Sequence, residues 1–166
     1  MQAGGRRLAY VGLGSNLDDP RQQVERAFAA LAGLPCTALV ARSRCYRTPP
    51  WGVLAQPAFV NAAATLDTAL APEALLDALL AIERAAGRVR AGDRWGPRVL
   101  DLDLLHMDGV VCDEPRLSLP HPRLRERAFA LVPLAEIAPA LELPGQGRVC
   151  DLLAGVEAGA CVPLPE

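Results

Sequence analysis

Val99-Leu100-Asp101-Leu102-Asp103-Leu104-Leu105 is the stretch on which the reading of this chain turns. Leu100, Leu102 and Leu104 alternate with Asp101 and Asp103, which predicts a β-strand of period two. That period puts both carboxylates on one face and the leucines on the other. Two like charges side by side repel unless a cation sits between them. Hard oxygen ligands on a rigid strand suit Mg²⁺, which proteins hold with one or two carboxylates plus substrate phosphates. Just upstream, Arg94-Trp95-Gly96-Pro97-Arg98 brings guanidinium forks that match phosphate.

Working outward, Leu8 to Leu13 reads as a first strand. Asp19-Pro20 is a helix start, a capping carboxylate followed by proline at the first helical position. Val24, Ala27, Phe28 and Leu31 give that helix its apolar stripe, and Gly33 closes it. Thr37 to Tyr46 is a second strand, broken by Thr48-Pro49-Pro50-Trp51-Gly52, which opens a loop to Pro57. Phe59 to Leu66 is a third strand, with Phe59, Asn61, Ala63 and Thr65 on one face. Pro72-Glu73 starts a second helix with Leu75, Leu76, Leu79 and Ile82 as its stripe, Glu83 at the stripe's edge and Gly87 as its stop. The Asp-x-Asp strand follows a loop from Gly87 to Pro97. Asp108-Gly109 predicts a hairpin into Val110-Val111-Cys112. Arg125 to Leu134 reads as a short third helix, and the tail after Pro144 has no clear pattern.

The order βαββαβ predicts an α+β protein, a ferredoxin-like sandwich with helices packed on an antiparallel sheet, extended by a hairpin and C-terminal helical material. At 166 residues, with 51% hydrophobic and 22% charged residues, the expectation is one domain over residues 1–166 with a flexible N-terminus over 1–7. The net charge of −2 gives no case for nonspecific binding to nucleic acid or membrane. All 17 basic residues are arginine, which excludes Schiff-base chemistry and a Walker-type lysine. An anion site must then use guanidinium groups, backbone N–H groups or metal. Five cysteines without metal-ligand spacing, and an N-terminal apolar run too short for an export signal, predict reduced thiols in a cytoplasmic protein. No stretch approaches the ~20 apolar residues of a spanning helix.

Each candidate residue also has a plain structural reading. Asp101 and Asp103 could form the solvent face of an edge strand. Arg84, Arg88, Arg90, Arg94 and Arg98, punctuated by Gly87, Gly92 and Gly96, could line a solvated loop or one that closes over phosphates. Trp51 and Trp95 lie beside loops, outside periodic core positions. Phe59 reads as core, but Asn61 on the same face needs partners for its amide; a flat heterocycle stacked on the ring and read by the amide would satisfy both. His121, in the rigid exposed turn Leu119-Pro120-His121-Pro122, reads by itself as structural. Gly12-x-Gly14 followed by Ser15-Asn16 is half a dinucleotide fingerprint and reads better as a tight turn after strand one.

Taken together, these motifs resemble those of the 6-hydroxymethyl-7,8-dihydropterin pyrophosphokinase family. Arg94-Trp95-Gly96-Pro97-Arg98-x-x-Asp101-Leu102-Asp103-Leu104-Leu105 resembles its signature. Gly12 to Leu17, Tyr46 to Gly52, Gln56-Pro57-x-Phe59-x-Asn61-Ala62, Leu119 to Pro122 and Arg127-x-Phe129 resemble its other segments, over nearly the whole chain. The resemblance implies transfer of the pyrophosphoryl group of ATP to the pterin hydroxymethyl, with AMP leaving. It implies two Mg²⁺ ions on Asp101 and Asp103, and a catalytic set of Arg88, Arg98, Asp101, Asp103 and His121. ATP would meet Glu83, Arg88, Arg94, Arg98, Arg116, Ser118, His121 and Arg127. Thr48, Pro49, Trp51, Phe59, Asn61, Trp95 and Phe129 would surround the pterin, and Arg90 and Arg94 would ride a mobile catalytic loop. The partners implied are small molecules and the expected state is a monomer. Phe59 stands where a tyrosine is usual, Ala91 where a basic residue is usual, Leu80 where a polar residue is usual, and Pro122 where an aromatic is usual. Two other readings stay open at this point: a different two-metal transferase or nuclease using Asp-x-Asp, and a noncatalytic ferredoxin-like ligand-binding module.

Overall fold

A computed structural model describes residues 5–49, 57–87 and 99–165. The chain runs β1 (Arg7–Ser15), α1 (Pro20–Ala32), β2 (Thr37–Arg42), β3 (Tyr46–Thr48), β4 (Phe59–Thr68), α2 (Pro72–Ala85) and β5 (Asp101–Met107). The small strands β6 (Cys112–Asp113) and β7 (Ser118–Leu119) follow, then a 3-10 turn (Leu124–Glu126) and α3 (Ala128–Ile137). The tail forms β8 (Glu142–Leu143), β9 (Gly147–Arg148), α4 (Val149–Ala154) and β10 (Val162–Pro163).

Local chemistry accounts for the helices. The Asp19 side chain accepts from Gln22 N at 3.4 Å, Pro20 opens α1, and Val24, Ala27, Phe28 and Leu31 are its buried residues. Pro72 opens α2, with Glu73 in its first turn and Arg84 in its last, both favourable to the helix dipole. The main sheet is antiparallel in the order β10-β3-β4-β1-β5, with β2 also paired to β4. With β2 and β3 as one broken strand, this is the ferredoxin-like βαββαβ arrangement.

Helices cover both faces of the sheet. Val11, Leu13, Val60, Ala62, Leu66, Leu102 and Leu104 pack with α1 and α2. Tyr10, Ala63 and Leu105 pack on the other side with Leu131 and Leu134 of α3 and Val149 of α4. Central β4 is therefore buried on both faces, which is why its sequence lacks clean alternation. Its run Ala62-Ala63-Ala64 is small enough to admit helices from both sides.

Several sequence expectations change. The second strand is two strands, parted at residues 43–45, where Ser43 replaces regular pairing by donating N–H to Ala63 O and accepting from Ala63 N through Oγ. Gly12 and Gly14 lie inside β1 and form no turn after it. Asp108-Gly109 does turn, with Gly109 at φ +76°, but β6 pairs with β7 and not with β5. Leu105 joins Leu104 in being buried because α3 and α4 cover the face opposite Leu104. Arg6 is tied to β4, donating to Asp67 Oδ1 at 3.0 Å and Asp67 O at 2.8 Å, and Arg7 begins β1. Among the described residues no helix is long and apolar enough to cross a membrane, and all five cysteines are free.

Candidate active site

α3 and α4 cover the half of their sheet face around Tyr10, Ala63 and Leu105. The same face continues toward the other ends of β1, β4 and β5, and there the candidate residues gather. Register aligns them in rows. Asp101 of β5 faces Gly14 of β1, Gly14 faces Asn61 of β4, and Asn61 faces Tyr46 of β3. In the next row Asp103 faces Gly12, which faces Ala63. Opposed residues in antiparallel strands share a face, and strands lie ~4.8 Å apart. Asp101 and Asn61 therefore flank a floor one glycine wide, with backbones ~10 Å apart.

Gly14 is required by its neighbour. A Cβ there would lie 2.6 Å from Asn61 Oδ1. The amide thus rests against bare backbone, and its Nδ2 donates to Thr48 Oγ1 at 2.6 Å. Asn61 and Thr48 are both buried, and Phe59, half-buried, stands opposite Thr48 in the register. The partners that sequence reasoning demanded for the Asn61 amide are thus partly supplied from within. Asn16 holds the loop before β4 by donating from Nδ2 to Pro57 O at 3.0 Å.

The carboxylate side is edged by cations and a neutral imidazole. Asp101 and Asp103 are half-buried, whereas Leu102 between them is buried. Arg127 Nη1 lies 3.8 Å from Asp103 Oδ2, and the Arg127 guanidinium lies 5.6 Å from the Phe129 ring. Burial lowers the Arg127 pKa and the Asp103 charge opposes that shift, so the group stays a cation. His121 donates its backbone N–H to Leu105 O at 2.8 Å, which fastens it to β5. Its Nδ1 accepts from Arg123 N at 3.2 Å, which leaves the proton on Nε2. Burial, helped by the Arg127 charge, pushes its pKa down to about 4. His121 is thus half-buried and neutral at physiological pH, in contrast to the exposed turn expected from Pro120 and Pro122.

Glu83 also sits differently from expectation. It is 2% exposed, within the buried side of α2, and its Oε2 accepts from Leu102 N at 2.6 Å. It therefore binds the backbone between the two aspartates. Arg116 is exposed and holds Glu73, with Nη1–Oε1 at 2.7 Å, and Asp77, both on α2. Ser118 Oγ donates to Asp113 Oδ1 at 3.3 Å across the β6–β7 pair. Arg116 and Ser118 are thus engaged with their own surroundings, and Pro49 is exposed at the end of β3. Trp51, Arg88, Arg90, Arg94, Trp95 and Arg98, with Ala91, lie outside the described residues.

Among the described residues no group of three or more His, Cys, Asp or Glu side chains converges as a metal cage. Asp101 and Asp103 supply two hard carboxylates on one strand face, a donor set that fits Mg²⁺ completed by phosphate and water. Sequence reasoning missed the task of Gly14. Its signal was present as two glycines at a spacing of two, which in a strand share one face.

A family model described as 7,8-dihydro-6-hydroxymethylpterin-pyrophosphokinase (HPPK) matches residues 10–139. The 2-amino-4-hydroxy-6-hydroxymethyldihydropteridine pyrophosphokinase of Methylorubrum extorquens is 53% identical over 138 residues, covering 83% of this chain and 87% of that protein. The Pseudomonas aeruginosa protein of the same name is 53% identical over 145 residues, covering 87% of this chain and 89% of its own. Among solved structures, wild-type Plasmodium falciparum HPPK-DHPS with pteroate superposes with a TM-score of 0.73 at 12% identity. That likeness is one of fold, and it spans 93% of this chain but 43% of the other. The family match begins within β1 and ends beyond α3, so it takes in Gly14, Asn61, both aspartates and Arg127, and the chain belongs to the 7,8-dihydro-6-hydroxymethylpterin-pyrophosphokinase family.

Proposed function

We propose that this protein transfers the pyrophosphoryl group of ATP to the hydroxymethyl of 6-hydroxymethyl-7,8-dihydropterin. The substrate hydroxyl forms a bond to the β-phosphorus, the bond from that phosphorus to the AMP oxygen breaks, and the hydroxyl proton is released. The carrying observation is the row Asp101–Gly14–Asn61, which sets a carboxylate and a buried amide on either side of a bare backbone floor.

Each side of that row has its own task. Asn61, held by Thr48, reads the hydrogen-bonding edge of the pterin, and Phe59 offers a ring for stacking. Phe129, whose ring lies 5.6 Å from the Arg127 guanidinium, supplies a further aromatic for the pterin. Phe59 provides no hydroxyl, so the heterocycle is recognised at this position by its face alone. On the other side Arg127 and the Nε2–H of neutral His121 donate to phosphate oxygens. Arg88 and Arg98 complete the catalytic set, Arg116 and Ser118 border the nucleotide, Glu83 supports the metal side from within by holding Leu102 N, and Trp51, Trp95 and Pro49 enclose the pterin. Asp101 and Asp103 would hold Mg²⁺, which when bound neutralises phosphate charge and lowers the pKa of a coordinated hydroxyl. Most of the catalysis is positioning and charge neutralisation, so no separate histidine base is needed. The reading includes a cytoplasmic monomer acting on small molecules alone.

The test is AMP release from ATP with and without the pterin. AMP should appear only with the pterin and vanish on chelation by EDTA. Asp101→Ala and Asp103→Ala should each lose activity by ~10³-fold or more while keeping the far-UV spectrum and melting cooperatively. Near wild-type turnover in either variant would remove the aspartates from the mechanism.

A further inference from the structure

The break between β2 and β3 is held from two sides. Ser43 fixes it to β4 through both its N–H and its Oγ at Ala63, at 2.9 and 2.8 Å. On the other side stands Glu136, near the C-terminal end of α3. Its Oε1 accepts from Tyr46 OH at 2.6 Å, and its two oxygens accept from Arg44 N at 3.1 and 3.2 Å. Arg44 Nε lies 3.5 Å from Oε1 as well. One carboxylate thus satisfies the backbone at the break and a buried phenol of the strand that follows.

The break matters because it sets register. From Arg42↔Ala64 to Tyr46↔Asn61 the chain advances four residues on one strand against three on the other. A slip of one residue in a strand moves every side chain to the opposite face. Tyr46 sits opposite Asn61, and Thr48, two residues on, accepts the Asn61 amide. The register that Glu136 holds is therefore the one that puts Thr48 on the substrate face.

We infer that Glu136 is a positioning residue for pterin recognition, acting through Tyr46 and β3 on the Thr48–Asn61 pair. α3 carries the coupling: its N-terminal turn presents Phe129 and follows Arg127, and its last turn holds β3. One helix thereby links Phe129, assigned to the pterin, to the strand that bears Thr48. The inference rests on the pterin reading of the site. Among the described residues Glu136 bonds Arg44 and Tyr46, neither assigned to ATP, so its effect is expected on the pterin side.

Glu136 borders a cavity of about 420 Å³ shared with Arg21, Glu25, Arg42, Ser43, Arg44, Cys45 and Leu164, so water can replace a truncated side chain. The experiment measures pterin and ATP KM, kcat and direct pterin binding for Glu136→Ala, Glu136→Gln and Tyr46→Phe. Glu136→Ala should weaken pterin binding ~10-fold, the equivalent of one lost hydrogen bond, with ATP KM within ~2-fold of wild type. Tyr46→Phe should act in the same direction. The double variant Tyr46→Phe/Glu136→Ala should be no worse than Glu136→Ala, because both remove one interaction. Glu136→Gln retains an acceptor and should recover affinity to within ~3-fold of wild type. Unchanged pterin affinity in Glu136→Ala, or an equal rise in ATP KM, would overturn the inference. Absence of pterin binding and of AMP release in the wild type would instead overturn the pterin reading itself.

Discussion

Gly14 shows how much can rest on a missing side chain. A methyl group there would meet Asn61 Oδ1 at 2.6 Å, and the amide cannot retreat without leaving Thr48 Oγ1. Gly14→Ala is therefore expected to raise the pterin KM by ~10-fold or more. It should also lower stability by ~1–3 kcal/mol, the usual cost of overpacking. Steady-state kinetics and a denaturant melt check the two effects, and an unchanged KM would mean Asn61 does not read the substrate. Asp101 and Asp103 were legible from sequence because period-two alternation needs no partner strand. Gly14 was not, because the residue it makes room for is 47 positions away and register supplies that contact. Glu83 was read at the edge of its helical stripe from its spacing, four residues after Leu79 and seven after Leu76. Its burial follows from an acceptor task at Leu102 N that only the docked strand creates.

At the scale of elements, β5 is supported on two sides. β1 pairs along one edge, and the Glu83 carboxylate takes the Leu102 N–H on the side away from it. Helix α2 thus fixes by a single charged acceptor the strand that carries both aspartates. Glu83→Ala leaves a buried N–H without its acceptor, at a cost of about 1–3 kcal/mol. The urea midpoint should fall accordingly, and Glu83→Gln should recover most of the loss. An unshifted midpoint in Glu83→Ala would mean that water replaces the carboxylate at Leu102. The boundaries of α1 and α2 were legible because Asp19, Pro20 and Pro72 act locally. The β2–β3 break and the pairing of β6 with β7 were not. Asp108-Gly109 encodes a turn, but which strand the outgoing chain joins is settled by distant packing.

For the whole molecule, both histidines of the chain are held neutral by the fold. Burial is the leading cause at each: it lowers the His106 pKa, and with nearby arginine charge it takes His121 to about 4. His106 is 2% exposed and stacks on Tyr10 with ring centroids 6.2 Å apart. A folded-state pKa below the unfolded value near 6.5 means that unfolding takes up protons. The stabilisation from the neutral rings is complete above pH ~6.5 and is lost as pH falls, for His121 until its folded pKa is passed. As pH falls below ~6.5 the metal-free protein should lose stability, by up to ~1.4 kcal/mol per pH unit for His121 down to about pH 4, with a further loss from His106. His106→Phe keeps a ring against Tyr10 and should flatten that slope, as thermal melts at pH 7 and pH 5 would show. Equal slopes in the two proteins would mean that His106 takes up no proton on unfolding.

The end of the chain has a bearing on how copies of the protein meet. Val162 and Pro163 lie along β3, opposite Arg47 and Tyr46, and Leu164 donates its N–H to Cys45 O at 2.9 Å. A strand edge with open N–H and C=O groups is a template on which another chain can assemble. Here the template is occupied from within, and Pro163 carries no N–H with which to extend the sheet further. Loss of this short segment would turn the strand bearing Thr48 into an adhesive edge. Self-association and loss of substrate recognition would then share a single origin.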